Sequence, residues 1–360
     1  MDVETRMQLI TRNTLEIVTR EELKTLLETS ARPKGYIGYE PSGLVHIGWL
    51  VWIMKVKDMV DAGVDFTVLE ATWHAKINDK LGGDLDLIRR SARIVRAVME
   101  GAGVPVEKIR FIDAEDLASD KDYWALVINV AKNASLARIK RALTIMGRRA
   151  EEAEIDASKL IYPAMQVADI YYLDLDIALG GMDQRKAHML ARDLAGKLKA
   201  KKPVAVHTPL ITGLRGVKRM DAVGEIDDVY VTAKMSKSMP ENTILVHEDP
   251  EAIAAKIRAA YCPAGQEEFN PVMEINKYIL FQQPGFKLVV ERPAKYGGTV
   301  VYEKYEDLAR DFKEKKLHPL DLKKATADAL ARMLEPIRKR ILSDREVLES
   351  IEAISGRITR

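Results

Sequence analysis

The 360-residue sequence holds a single cysteine, Cys262, so it can form no internal disulfide; a small buried hydrophobe is the expected role, ahead of a nucleophile. No apolar run is long enough to span a bilayer, and residues 1–20 are polar and mixed in charge, unlike a signal peptide. No membrane partner is expected, and the cytoplasm is the expected compartment. Histidine and cysteine never cluster at metal-ligand spacing, so no metal site and no structural zinc are expected. Net charge is only +2, too small to indicate nucleic-acid binding, although Lys313, Lys315, Lys316, Lys323, Lys324, Arg338, Lys339 and Arg340 gather near the C-terminus. A solvated helix face accounts for that cluster equally well. Repeats and low-complexity tracts are also missing. What the chain does have is 47% hydrophobic residues, enough for a large core and two or three domains.

Two helices are expected in residues 1–31, an N-terminal appendage whose second helix opens on a capping box, Thr19 with Glu22 three positions on. Strand-like and helical stretches then alternate: strands at 35–39, 65–69, 109–112, 173–179 and 204–208, helices at 46–62, 84–102 and 184–198. The pattern predicts an α/β doubly wound parallel-sheet, Rossmann-like domain over about 32–225, with a helical insertion near 115–155. A polar loop and linker, 226–249, leads to a helical C-terminal domain, 250–360.

Two short segments carry chemistry together. Pro41-Ser42-Gly43-Leu44-Val45-His46-Ile47-Gly48 follows the first strand and places His46 at a helix N-terminus, where free N–H groups favour anions. Gly43 and Gly48 are read as points of close backbone approach to a nucleotide. Lys234-Met235-Ser236-Lys237-Ser238 offers two lysines, Lys234 and Lys237, for a leaving pyrophosphate. Alone, either could be a helix cap or a surface loop. Further along, Tyr162, Gln166 and Asp169 lie four and three positions apart, so they share one face of a mostly apolar helix. Pro163 is expected in that helix's first turn. Gln184 follows an apolar strand at what should be its carboxyl end. A ligand with an amino group at one end and a hydroxyl at the other fits these groups.

In this order the segments resemble class I aminoacyl-tRNA synthetases. The run 35–43, the Tyr162 to Asp169 helix, Gly180 to Arg192 and Lys234 to Ser238 are similar to the tyrosyl-tRNA synthetases of the archaeal and eukaryotic type. The resemblance implies a tyrosine-tRNA ligase: ATP, accompanied by Mg²⁺, activates L-tyrosine, and the tyrosyl group passes to the 3′ end of tRNA(Tyr). It implies that Tyr36 and Asp169 hold the phenol hydroxyl, that Tyr162, Gln166 and Gln184 hold the α-amino group, and that Gly43, His46, Gly48 and Lys237 bind ATP. His46, Lys234 and Lys237 become the catalytic residues. Tyr296, His318 and Asp321 match anticodon-reading positions, and stacking with edge contacts is how single-stranded bases are commonly read. A homodimer through the inserted helices is also implied. Trp49 departs from the pattern, standing where the family usually has histidine.

Other readings are a tryptophanyl-tRNA synthetase, a nucleotidyltransferase of the same superfamily without tRNA, and an inactive RNA-binding relative. Asp169 favours a phenol over an indole, and the Tyr296 and His318 segments favour RNA over its absence.

Overall fold

The structure is a computed structural model and describes residues 1–146, 156–216, 234–236, 239–355 and 357. The chain forms two compact units: Met1–Leu44 with Trp52–Pro209 and Glu346–Arg360, and Val45–Val51 with Leu210–Arg345.

The first unit is a six-stranded sheet in the order β1-β6-β5-β2-β3-β4. Helix α1 (Val3–Thr11), strand β1 (Glu16–Val18) and helix α2 (Arg20–Thr29) open it. Then come β2 (Lys34–Tyr39), α3 (Leu50–Asp61), β3 (Asp65–Glu70), α4 (Thr72–Ile77), α5 (Leu85–Gly101) and β4 (Arg110–Asp113). The helices α6 (Ala114–Ala118), α7 (Lys121–Asn133), α8 (Leu136–Ala142) and α9 (Ala157–Tyr172) separate β4 from β5 (Ile177–Gly181), which α10 (Arg185–Leu198) joins to β6 (Val204–Thr208). β2 through β6 pair in parallel, and β1 runs antiparallel to β6. Covered on both faces, strands such as Val204 to Thr208 are wholly buried, which is why they lack the polar–apolar alternation of a half-exposed strand.

β2 lies between β3 and β5, so the winding direction reverses there, and the carboxyl ends of β2 and β5 flank the crevice where such sheets take ligands. The α/β reading and the Thr19–Glu22 capping box both hold. Three details differ. The appendage is part of the sheet: β1 pairs with β6, and the buried Arg6 donates to the carbonyls of Leu27, Ser30, Ala31 and Ala62. Strand β5 starts at Ile177 and not Leu173, because α9 runs on to Tyr172 and Leu173 caps it. Pro163 sits inside α9, which begins six residues earlier behind the Asp156 cap. An interior proline costs about 3 kcal/mol, and the buried flanks of this helix offset it.

In the second unit, α11 (Pro250–Ala259), α12 (Pro271–Tyr278), α13 (Tyr305–Lys313) and α14 (Pro319–Leu342) pack Ile253, Ile257, Met273, Leu308, Phe312 and Leu330 into one core. A short antiparallel pair, β7 (Leu288–Val290) and β8 (Val300–Tyr302), lies within the mainly helical region. Cys262 is buried here. Much of the C-terminal basic cluster is ion-paired on the surface, as in Lys313–Glu267 and Lys339–Glu335. The last helix, α15 (Arg345–Ser355), falls almost wholly within the first unit, where Arg93 meets Glu346 and Ser350.

Candidate functional site

In the first unit the polar stripe of α9 forms the centre of a cluster. Residues 162–170 are buried without a break, so the polar members of this stretch must find partners inside the protein. Asp169, 2% exposed, accepts from the Tyr123 hydroxyl through Oδ1 at 2.7 Å. His74 Nε2 stands 3.2 Å from Oδ2, and the His74 ring lies edge-on to Tyr162 with centroids 5.0 Å apart. Despite that short approach the geometry is off-line, and neither His74 nitrogen makes an aligned hydrogen bond among the described residues. Tyr36 on β2 is fully buried, and burial, then the Asp169 charge, push its phenol well above the usual range. Burial and Asp169 do the same to Tyr123. Both hydroxyls thus stay protonated as donors.

One turn along the helix, Gln166 Nε2 donates to Gln184 Oε1 at 3.1 Å, and Gln184 Nε2 donates to the Ile145 carbonyl at 3.2 Å. That leaves Gln166 Oε1 buried with no donor among the described residues. A further turn back, Tyr162 donates to Glu40 Oε1 at 2.6 Å, and Asn78 Nδ2 lies 3.0 and 3.1 Å from the two Glu40 oxygens. Lys80 stands 3.7 Å from Glu40. Burial, then Glu40, raise the Tyr162 phenol well above its ordinary value. Glu40 follows β2 and Gln184 follows β5, so both come from the switch point of the sheet.

Sequence reasoning found Tyr36, Tyr162, Gln166, Asp169 and Gln184, and the structure brings all five into this unit's cluster. It assigned no role to Glu40, His74, Asn78 or Tyr123. Glu40 had a signal, an acid directly after a strand that ends at the crevice. Tyr123 had none: with Val127 and Val130 it reads as the core stripe of an amphipathic helix.

Val45–Gly48 of the first signature and residues 234–236 of the second both belong to the second unit. His46 caps a short 3-10 turn, Ile47–Trp49, that leads into α3, and its Nδ1 accepts from the Gly48 N–H at 3.2 Å. Its proton therefore resides on Nε2. A side chain on Gly48 would come within 2.9 Å of the His46 ring, so glycine is needed here for the imidazole's own seat. Gly43, in the first unit, has φ of 117°, and its N–H and carbonyl are both engaged by Ser91. Backbone bridges tie His46 to Leu245 and Lys234 to Thr212, and Met235 donates its N–H to the Ile211 carbonyl at 2.6 Å. Gly48 faces Ile211, with 3.8 Å from its built Cβ position to the isoleucine Cβ. Residues 211 and 212 thus lie between the two signatures. Trp49 stands edge-on to His46, with ring centroids 6.2 Å apart. Lys237 lies outside the described residues.

Farther along the same unit, Tyr296 is 62% exposed with Lys295 over its ring, and His318 caps the exposed start of α14, where Asp321 lies in the first turn. Arg292 donates to the carbonyls of Gly298 and Lys316, joining the turn that carries Tyr296 to the segment before His318.

A family model described as tRNA synthetases class I (W and Y) matches residues 28–222 and 226–335. The tyrosine--tRNA ligase of Aeropyrum pernix is 67% identical over all of this chain and 99% of its own length. That of Sulfolobus acidocaldarius is 57% identical over the whole of both chains. The crystal structure of tyrosyl-tRNA synthetase from Pyrococcus horikoshii, complexed with L-tyrosine, superposes with a TM-score of 0.91 at 42% identity, covering 98% of this chain and all of that one. With relatives this similar along its entire length, the chain belongs to the tyrosyl-tRNA synthetase family of class I tRNA synthetases.

Proposed function

We infer that the protein is a tyrosine-tRNA ligase. The observation that carries this reading is the α9 stripe: a buried carboxylate flanked by hydroxyl and imidazole, and one turn away a buried amide oxygen with no donor among the described residues. Asp169 and Tyr36 take the phenol hydroxyl, and Gln166 Oε1, with Tyr162 and Gln184, takes the ammonium group. A substrate without the hydroxyl would leave Asp169 and Tyr36 desolvated and short of a partner, so phenylalanine is rejected by the cost of unmatched polar groups. The tyrosine carboxylate attacks the α-phosphate of ATP, pyrophosphate leaves, and the tyrosyl-adenylate gives its acyl group to a ribose hydroxyl at the 3′ end of tRNA, releasing AMP.

Catalysis rests on positioning and on charge stabilisation, with no covalent enzyme intermediate. His46 serves the phosphates through Nε2–H, the tautomer that its Gly48 bond selects, and Lys234 and Lys237 neutralise the departing pyrophosphate. Gly43 and Gly48 belong to the turn that approaches ATP. Mg²⁺ arrives with ATP as part of the substrate. Tyr296, His318 and Asp321 receive anticodon bases, a reading supported by the exposed ring of Tyr296 and by the Arg292 link between the two segments. Exposed Ile128 and Leu136, on α7 and α8, support a homodimer through these helices. The absence of any helix long and apolar enough to cross a membrane, among the described residues, is compatible with a cytoplasmic enzyme.

Pyrophosphate exchange with each standard amino acid tests the reading. Tyrosine should dominate; predominance of tryptophan would replace the substrate, and exchange without charging of any tRNA would favour a nucleotidyltransferase.

A further inference from the structure

A half-buried glutamate outside both signatures grips the ledge between them. Glu274, on α12, accepts the Thr212 N–H through Oε2 at 2.6 Å and the Thr212 hydroxyl through Oε1 at 2.9 Å. Thr212 is the bridge partner of Lys234, and the adjacent Ile211 accepts the Met235 N–H and faces Gly48. We propose that Glu274 is a positioning residue for adenylate formation, fixing through Thr212 the backbone against which Lys234 and Met235 are bridged.

Three observations support this assignment. First, the grip is bidentate, so it fixes the direction of the Thr212 peptide as well as its place. Second, α12 is anchored on another side: the buried Asn276 donates to Thr326 Oγ1 of α14 at 2.7 Å, so the carboxylate is carried by a helix tied into the unit's core. Third, the carboxylate is expensive. Burial pushes Glu274 up to about 7, against the pull of both Thr212 bonds and of Lys277 on its own helix; Tyr305 of α13 is the other titratable group that feels its charge. A glutamine amide could meet the same two Thr212 groups, its carbonyl accepting from the N–H and its NH2 donating to the hydroxyl, at lower desolvation cost, and costly polar groups are commonly kept where geometry serves function.

The proposal rests on the phosphate role given to Lys234. Its test uses Glu274→Ala, Glu274→Gln and Thr212→Val in the full-length protein, with checks on folding by circular dichroism. Three readouts are taken: kcat for tyrosine-dependent pyrophosphate exchange, equilibrium binding of tyrosine without ATP, and deuterium uptake at residues 234–236. In Glu274→Ala, kcat should fall about tenfold or more, as expected for an interaction that matters in the transition state, while tyrosine binding stays within about twofold. Uptake at 234–236 should accelerate. Glu274→Gln should restore most of the rate, because its carbonyl can accept from the Thr212 N–H and its amide can donate to the hydroxyl.

A folded Glu274→Ala protein with the wild-type kcat would overturn the proposal. So would unchanged deuterium uptake, a parallel loss of tyrosine binding, or no rescue by glutamine. If the alanine variant does not fold, Thr212→Val, which removes only the hydroxyl bond, must show the same split on a smaller scale, and wild-type behaviour there refutes the grip. Wild-type protein inactive with tyrosine would sink the functional reading alone, because uptake still decides whether Glu274 holds the segment.

Discussion

Replacing Tyr123 by phenylalanine deletes one oxygen and keeps the ring. Tyr123 is 1% exposed and Asp169 2%, so water cannot readily take the place of the lost hydroxyl, and among the described residues Asp169 keeps the off-line contact from His74. A hydrogen bond to a charged group is worth about 1.5–3 kcal/mol. At about 1.4 kcal/mol per decade, the folding equilibrium should shift against the native state by roughly 10- to 150-fold. With tyrosine bound, its phenol supplies Asp169 with a donor, so saturating tyrosine should recover part of the lost stability and phenylalanine none. Urea denaturation followed by circular dichroism, with and without each amino acid, measures both effects. The exchange assay should show a lower tyrosine-to-phenylalanine ratio, because the carboxylate that reads the hydroxyl has lost the group that orients it. A midpoint within about 0.5 kcal/mol of wild type, together with unchanged selectivity, would refute the claim that Tyr123 aims Asp169.

Thr19→Ala should cost about 1 kcal/mol of stability through the lost cap of α2, with exchange kinetics unchanged; no shift in the denaturation midpoint would contradict the capping box. Glu16 is held down to about 2 by its bond from His207 and then Arg185, against burial. Its contribution is therefore present above its ordinary value of about 4.5 and lost as pH falls through 4.5 toward 2, and Glu16→Gln should flatten acid denaturation over that window. Glu274 has the opposite sign. With a native value near 7 the folded state binds its proton more tightly than the unfolded chain, so stability should decline as pH rises from about 4.5 to 7, on the order of 3 kcal/mol in all. Glu274→Gln should abolish that decline in urea midpoints measured between pH 5 and 8; a parallel slope in both proteins would count against a raised Glu274 carboxyl.

The parts of the fold fixed by local pattern were readable from the sequence. Strand β6 was read at its observed ends because its apolar, β-branched start, Val204-Ala205-Val206, is bounded by Pro203 and Pro209, and α2 because Thr19 and Glu22 cap within one turn. The Tyr162, Gln166 and Asp169 stripe was readable for the same reason, since helical period alone sets it. Strand β1 was missed because three residues carry no period, and its existence depends on β6, which lies far along the chain. The three-residue strands β7 and β8 escaped likewise. In the site, Tyr123 reaches Asp169 across 46 positions and Tyr162 reaches Glu40 across 122, separations at which the sequence offers no pattern to count. Pro163 misled because proline usually marks the start of a helix, whereas here tertiary packing on every side of α9 outweighs the missing amide.

The antiparallel strand Glu16–Val18 has a consequence for any shortened version of this protein. It occupies the flank of β6, where the Leu15 N–H also meets the His207 carbonyl. Trimming the first thirty residues would uncover the amides and carbonyls of Val204–Thr208 as a bare, hydrophobic margin, the surface on which separate molecules zip together into aggregates. The leading segment thus acts as a hem: cut it away, and the sheet is open to its neighbours.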